Sequence, residues 1–149
     1  MDIERKVYRE LLRWKTETQG KKALMIEGAR RVGKSTIAKK FGREQYRSYL
    51  LIDFNKAPKS IRDNFENLNT PDIFFQNLSL EYNVRLYPRE SLIIFDEIQK
   101  FPRAREAIKY LVEDGRYDYI ETGSLISIRE NVEGISIPSD GRKLQMSPV

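Results

Sequence analysis

Neither cysteine nor histidine occurs among the 149 residues of this chain. Disulfides, thiolate nucleophiles, cysteine or histidine zinc sites and imidazole acid–base catalysis are thereby excluded. Long apolar stretches are missing too. No run approaches the roughly 20 residues a membrane-spanning helix needs, and the start, MDIERK, is charged with nothing apolar behind it. A cytoplasmic location, with no membrane partner, is the resulting expectation. There are no repeats and no low-complexity segment. The chemistry left to such a chain runs on carboxylates, lysine, arginine, hydroxyls and an oxygen-liganded cation such as Mg²⁺.

What is present suits one soluble domain: 40% hydrophobic and 33% charged residues, with a net charge of +5. The basic excess is unevenly placed. Residues 1–50 hold 14 Lys and Arg against 6 Asp and Glu, while the remaining two thirds are close to balance. Such a basic surround draws in polyphosphate. The same residues are scattered rather than blocked and carry no aromatic-interleaved recognition motif, so a solvated surface is the first reading of them and nucleic-acid contact the second.

Residues Gly28 to Ser35 read GARRVGKS and fit G-x-x-x-x-G-K-[ST]; the apolar run Ala23-Leu24-Met25-Ile26 stands just before them. A buried strand that delivers the chain to a tight loop and then to a helix N-terminus points backbone N–H groups and a helix dipole at phosphate oxygens. Gly28 and Gly33 let the loop bend, Lys34 reaches the terminal phosphates, and Ser35 offers a hydroxyl to Mg²⁺. The cradle read from the motif is Gly28, Ala29, Arg30, Arg31, Val32, Gly33, Lys34, Ser35 and Thr36.

About sixty residues on, Leu92 to Phe95 form a second apolar run that ends in Asp96 and Glu97. A central parallel strand delivers such acids to the ligand edge of its sheet. Asp96 is placed in the Mg²⁺ shell, and Glu97 faces the γ-phosphate to position or deprotonate the attacking water. Tyr117 to Glu121 reads as a further strand leading to Thr122-Gly123-Ser124, which makes Thr122 and Ser124 candidate contacts to the γ-phosphate or the water.

Between these motifs the pattern alternates helix and strand. Ile3, Val7, Leu11 and Trp14 share one face of a helix from Ile3 to about Glu17 that Gly20 closes; packing against the sheet is the first reading of that face, and an adenine pocket lined by Trp14 or Leu12 the second. Lys34 to Phe41 reads as a helix stopped by Gly42, and Tyr49 to Asp53 as a strand. Thr70-Pro71 caps a helix carrying Ile73, Phe74, Phe75 and Leu78, with core packing the first reading of its aromatics, and Pro102 starts one that Gly115 ends. Gly134 to Pro138 and Arg142 to Met146 read as short strands joined by Ser139-Asp140-Gly141. The whole is an α/β fold with a mostly parallel central sheet.

The blocks GARRVGKS, LIIFDEIQKFPRAREAIKYL, YIETGSLIS and GRKLQMSPV together resemble the prokaryotic AAA-type P-loop ATPases that bear a C-terminal domain of unknown function, the archaeal-type predicted ATPases. The resemblance spans nearly everything from Lys22 onward. It implies a P-loop NTPase three-layer sandwich of the additional-strand, AAA-like type. The acidic strand would lie between the P-loop strand and the strand after it in sequence, with ATP as ligand. It also implies that residues 1–149 are the ATP-binding domain, with 1–20 as its N-terminal helix, of a protein that continues past Val149 into a second domain. Glu121 departs from the family pattern, which tends to have an apolar or small residue before Thr-Gly-Ser.

The residues favour ATP independently, because the nearest match to a guanine reader, Asn55-Lys56-Ala57-Pro58, ends in proline where a carboxylate is needed. Hydrolysis to ADP and phosphate is the expected reaction. A P-loop small-molecule kinase is a rival, set back by the lack of an arginine-rich lid after Tyr117. A nucleotide-gated binding module with little turnover is another. A nucleic-acid or protein client would be reached through the second domain, and Arg142 is the best internal candidate for an arginine finger, in cis or within a homo-oligomer. The motif itself is tested by Lys34→Ala, which removes the point charge facing the β- and γ-phosphates. Calorimetry should show ATP–Mg²⁺ binding by the unmodified chain and severe weakening or loss in the variant.

Overall fold

The computed structural model describes residues 3–28 and 33–124, and the backbone of 141–145. In chain order the elements are α1 (Ile3–Thr18), β1 (Ala23–Gly28), α2 (Lys34–Gln45), β2 (Ser48–Asp53), α3 (Lys59–Asn64), α4 (Pro71–Tyr82), β3 (Ser91–Asp96), α5 (Pro102–Asp114), β4 (Asp118–Ser124) and β5 (Gly141–Gln145). All strand pairs are parallel and the sheet order is β2-β3-β4-β1-β5. The acidic strand β3 therefore lies between β1 and β2 as expected, and β4 lies there too, directly beside β1.

The two apolar runs are strands because they are buried on both faces. Every residue of β1, β3 and β4 is buried, as continuous rather than alternating apolar sequence requires in a parallel sheet covered on both sides. On one side Leu24, Ile26, Leu92, Ile94 and Ile120 meet Val7, Leu11 and Trp14 of α1 and Ile37, Ala38 and Phe41 of α2. On the other, Met25, Leu50, Ile52, Ile93, Phe95 and Tyr119 meet α3, α4 and α5 through residues such as Ile61, Phe74, Leu78, Ala104 and Ile108. The result is a three-layer α/β sandwich. Trp14 is fully buried and its indole Nε1 donates to the Lys22 carbonyl at 2.8 Å. It packs on the sheet, in line with the first reading of that face.

Several local expectations are corrected. Gly42 does not stop α2, which runs on to Gln45. A Cβ on Gly42 would stand 2.8 Å from the Tyr49 Cβ, so this glycine serves the close approach of helix to strand. The aromatics Phe74 and Phe75 are buried as expected, with Leu78, while Ile73 is 48% exposed. Pro71 begins α4 as expected, yet Thr70 makes no side-chain cap and instead donates from Oγ1 to the Asn67 carbonyl. β4 does not end at Glu121; it continues through Thr122-Gly123-Ser124. The segment Gly134 to Pro138 lies outside the described residues. Gly141–Gln145 pairs in parallel with β1 at the edge of the sheet.

Glu121, the departure noted in the sequence, points to the α5 side. Its Oε1 lies 3.8 Å from Nη1 of Arg105, with the side chains 2% and 6% exposed. Neither of those two atoms, nor Arg105 Nε, has a hydrogen-bond partner. Burial pushes the Glu121 carboxyl up from an ordinary 4.5 to about 7, against the opposing pull of the Arg105 charge. Because the folded value is the higher one, the native state holds more protons than the unfolded chain between those values. The contribution to stability is complete below about pH 4.5 and is lost as pH rises through about 7. Glu121→Gln should therefore flatten the fall in stability between pH 5 and 8 by on the order of 3 kcal/mol. Urea midpoints across that range, compared with the unmodified chain, measure it.

Candidate functional site

The carboxyl ends of β1, β3 and β4 converge on the N-terminus of α2. Gly33 precedes that helix in the left-handed conformation, φ 84° and ψ 23°, which glycine adopts without a Cβ penalty. Its carbonyl accepts from the Ile37 N–H at 3.0 Å, and the first turn of α2 contains no acid to offset the positive end of the helix dipole. Ala29, Arg30, Arg31 and Val32 lie outside the described residues. Gly28 closes β1 and pairs in register with Ser124, which is buried at the end of β4. Lys34 is buried, Ser35 half-buried and Thr36 exposed in the opening turn of α2.

Four of the residues singled out from sequence meet here. Thr122 Oγ1 donates to Asp96 Oδ1 at 2.6 Å and accepts from the Glu97 N–H at 3.1 Å, so one hydroxyl fixes both members of the acidic pair. The Lys34 ammonium lies 3.9 Å from Glu97 Oε2, with side-chain exposures of 4% and 16%. Burial holds the Asp96 carboxyl above its usual range; the Thr122 hydrogen bond opposes this, Glu97 and Asp53 add to it, and Lys34 opposes it. A buried carboxylate held against that cost is what a cation would relieve. Among the described residues no group of three or more acids is gathered to hold a metal. A single carboxylate with a nearby hydroxyl suits Mg²⁺, which keeps waters and takes its other ligands from phosphate.

Three features escaped the sequence reading. Asp53 ends β2 in register with Asp96, placing a third carboxylate at this edge; it became visible only with the strand order. Glu97 adopts a left-handed backbone, φ 55° and ψ 51°, in which a 3₁₀ turn (Ile98–Lys100) begins. Gln99, two residues on, donates from Nε2 to Glu97 Oε1 at 2.7 Å. The sequence has the E-x-Q spacing, but only the turn brings an i+2 side chain back onto its neighbour. Arg142, the finger candidate, is aligned with Leu24, four residues short of Gly28. That puts its backbone roughly 13 Å from the ligand edge at about 3.3 Å per residue.

A parallel sheet with β4 between β1 and β3, helices on both faces and a glycine-bounded loop entering α2 defines the additional-strand class of P-loop α/β domain. The chain belongs to the AAA domain family, whose model matches residues 20–149. None of the curated proteins matches its sequence. Among solved structures, a chain in the structure of Drosophila ORC bound to DNA superposes with a TM-score of 0.61 at 10% identity, covering 98% of this chain and 92% of that one. The likeness at that identity is one of fold. The Pyrococcus furiosus Hef helicase domain superposes with a TM-score of 0.39 at 13% identity, over 93% of this chain and 37% of that one.

Thr122 is the junction of the acidic pair, so its removal should be felt in the folded protein without any ligand. Thr122→Val keeps the shape but leaves the buried Asp96 carboxylate without its hydroxyl donor. It should cost about 1–3 kcal/mol of stability, read from chemical denaturation at neutral pH. Ser124→Ala serves as the comparison.

Proposed function

We propose that the chain binds ATP with Mg²⁺ and hydrolyses it to ADP and phosphate. The observation that supports this most is the linked set Lys34, Glu97, Thr122 and Asp96 at the carboxyl edge of β1, β3 and β4, beside the start of α2. Lys34 and the backbone of Gly28 to Thr36 receive the polyphosphate, drawn there by the helix dipole and the basic first third of the chain. Ser35 and Asp96 would hold Mg²⁺, which when bound neutralises charge on the β- and γ-phosphates. Thr122 keeps Asp96 oriented, and Ser124 lies beside Gly28 within reach of the same edge.

Glu97 is the general base. Its Oε2 is turned toward Lys34, so a ligand whose terminal phosphate engages Lys34 brings that phosphate to the carboxylate that accepts a proton from water. Asp53, in register with Asp96, adds negative potential that favours a cation there. No arginine finger is assigned in cis, since Arg142 lies toward the far end of β5. The work driven by hydrolysis would be done on a nucleic-acid or protein client. DNA is the first to try, given the basic residues 1–50 and the DNA in the structure that shares the fold.

Glu97→Gln should retain ATP and lose at least about 100-fold in turnover, whereas Asp96→Asn should weaken the Mg²⁺ dependence of binding itself. Equal turnover in Glu97→Gln and the unmodified chain would remove Glu97 from the mechanism. Turnover measured against protein concentration, with Arg142→Ala beside it, separates a finger supplied by a neighbouring copy from a slow site complete in itself. Only the former gives a concentration-dependent rate that falls with the substitution.

A further inference from the structure

Glu97 has an anchor on each side of its carboxylate. Lys34 Nζ faces Oε2 at 3.9 Å, and Gln99 Nε2 donates to Oε1 at 2.7 Å. The two contacts differ in kind. The ammonium is a compact point charge at more than hydrogen-bond distance, on a side chain whose proposed duty is to meet phosphate. The Gln99 amide is a short, directional donor on a residue only 4% exposed. Its backbone is fixed by the turn in which the Lys100 N–H donates to the Glu97 carbonyl at 3.0 Å. The neighbouring charge on β3, Asp96, interacts with Glu97 and is negative, and Asp53 of β2 lies in register with Asp96 and is negative too, so neither orients the Glu97 carboxylate by attraction.

We infer that Gln99 is a positioning residue for Glu97: its amide holds Oε1 so that Oε2 is the oxygen presented to the reacting water when Lys34 turns to the phosphates. This rests on the reading of Glu97 as general base. A neutral amide suits the task. It donates without adding a cation that would bind the γ-phosphate itself, and without the negative charge that would make the neighbouring carboxylate reluctant to ionise. The length of glutamine is also specific, because the i+2 side chain must fold back over the 3₁₀ turn to reach Oε1. Asparagine is one methylene too short to do so from the same backbone.

The test uses Gln99→Ala, Gln99→Asn, Gln99→Glu and Glu97→Gln in the full chain, with ATP and Mg²⁺. Gln99→Ala and Gln99→Asn should each lower kcat roughly 10- to 100-fold, as loss of alignment at a reacting group does. KM and the calorimetric ATP affinity should stay within about twofold, because the inferred role of Gln99 acts through Glu97 and not through the nucleotide. Gln99→Glu replaces the donor with a second acceptor against Oε1 and should lower kcat at least as far as Gln99→Ala with KM again unchanged, a kcat-against-KM split that a merely structural role would not give. Without nucleotide, a side-chain amide proton of Gln99 should resonate downfield in the unmodified protein and lose that shift in Glu97→Ala. If Glu97→Gln is inactive while Gln99→Ala keeps its kcat, the positioning role is overturned and the base assignment stands. If Glu97→Gln turns over normally, the base assignment fails and the positioning role with it. A Gln99 amide shift that does not respond to Glu97→Ala overturns the contact itself.

Discussion

The insertion of β4 between β1 and β3 is the constraint on which the rest depends. Parallel strands carry their C-terminal ends to one edge, so whatever follows each strand is gathered there. With β4 in the middle, the hydroxyl of Thr122 stands one strand from both the phosphate-loop strand and the acidic strand. It bonds Asp96 and the Glu97 N–H together. Were β3 beside β1 instead, the acids would be nearer the loop but would have no hydroxyl from a flanking strand to order them.

The domain accepts an electrostatic cost for this arrangement. Lys34, Asp96, Arg105, Glu121 and Thr122 are all buried in a sandwich otherwise held by two apolar layers. On the α2 side the buried charges are tied by short hydrogen bonds, with Thr122 and Gln99 as donors. On the α5 side, Arg105 and Glu121 face each other across 3.8 Å with atoms left unbonded. The first arrangement is a site whose groups are oriented; the second is a charge pair whose desolvation is only partly repaid by attraction. A sheet that separates the two layers keeps these environments independent.

Much of the architecture was legible because continuous apolar runs in a parallel sheet and amphipathic helical faces both leave strong marks in sequence. β1, β3, α1, α4 and α5 were readable within a residue or two at most ends. Gly42 misled because glycine has two uses, ending a helix and admitting a close neighbour, and only the position of Tyr49 distinguishes them. At the site, the motif residues Lys34, Asp96, Glu97 and Thr122 could be named from sequence and are found together. Asp53 and Gln99 could not: one depends on which strand neighbours β3, the other on a single left-handed residue that reverses the chain.

That left-handed residue has a further meaning. A non-glycine residue in this conformation costs about 1–2 kcal/mol relative to the right-handed region, and glycine would carry no such penalty. Selection acting on thermal robustness alone would drift position 97 toward glycine or asparagine. The glutamate at φ 55° therefore brings its carboxylate at a backbone cost that glycine would not carry. Screens for more robust versions of this domain will therefore tend to rediscover glycine at position 97, and the survivors will be the ones with the carboxylate erased.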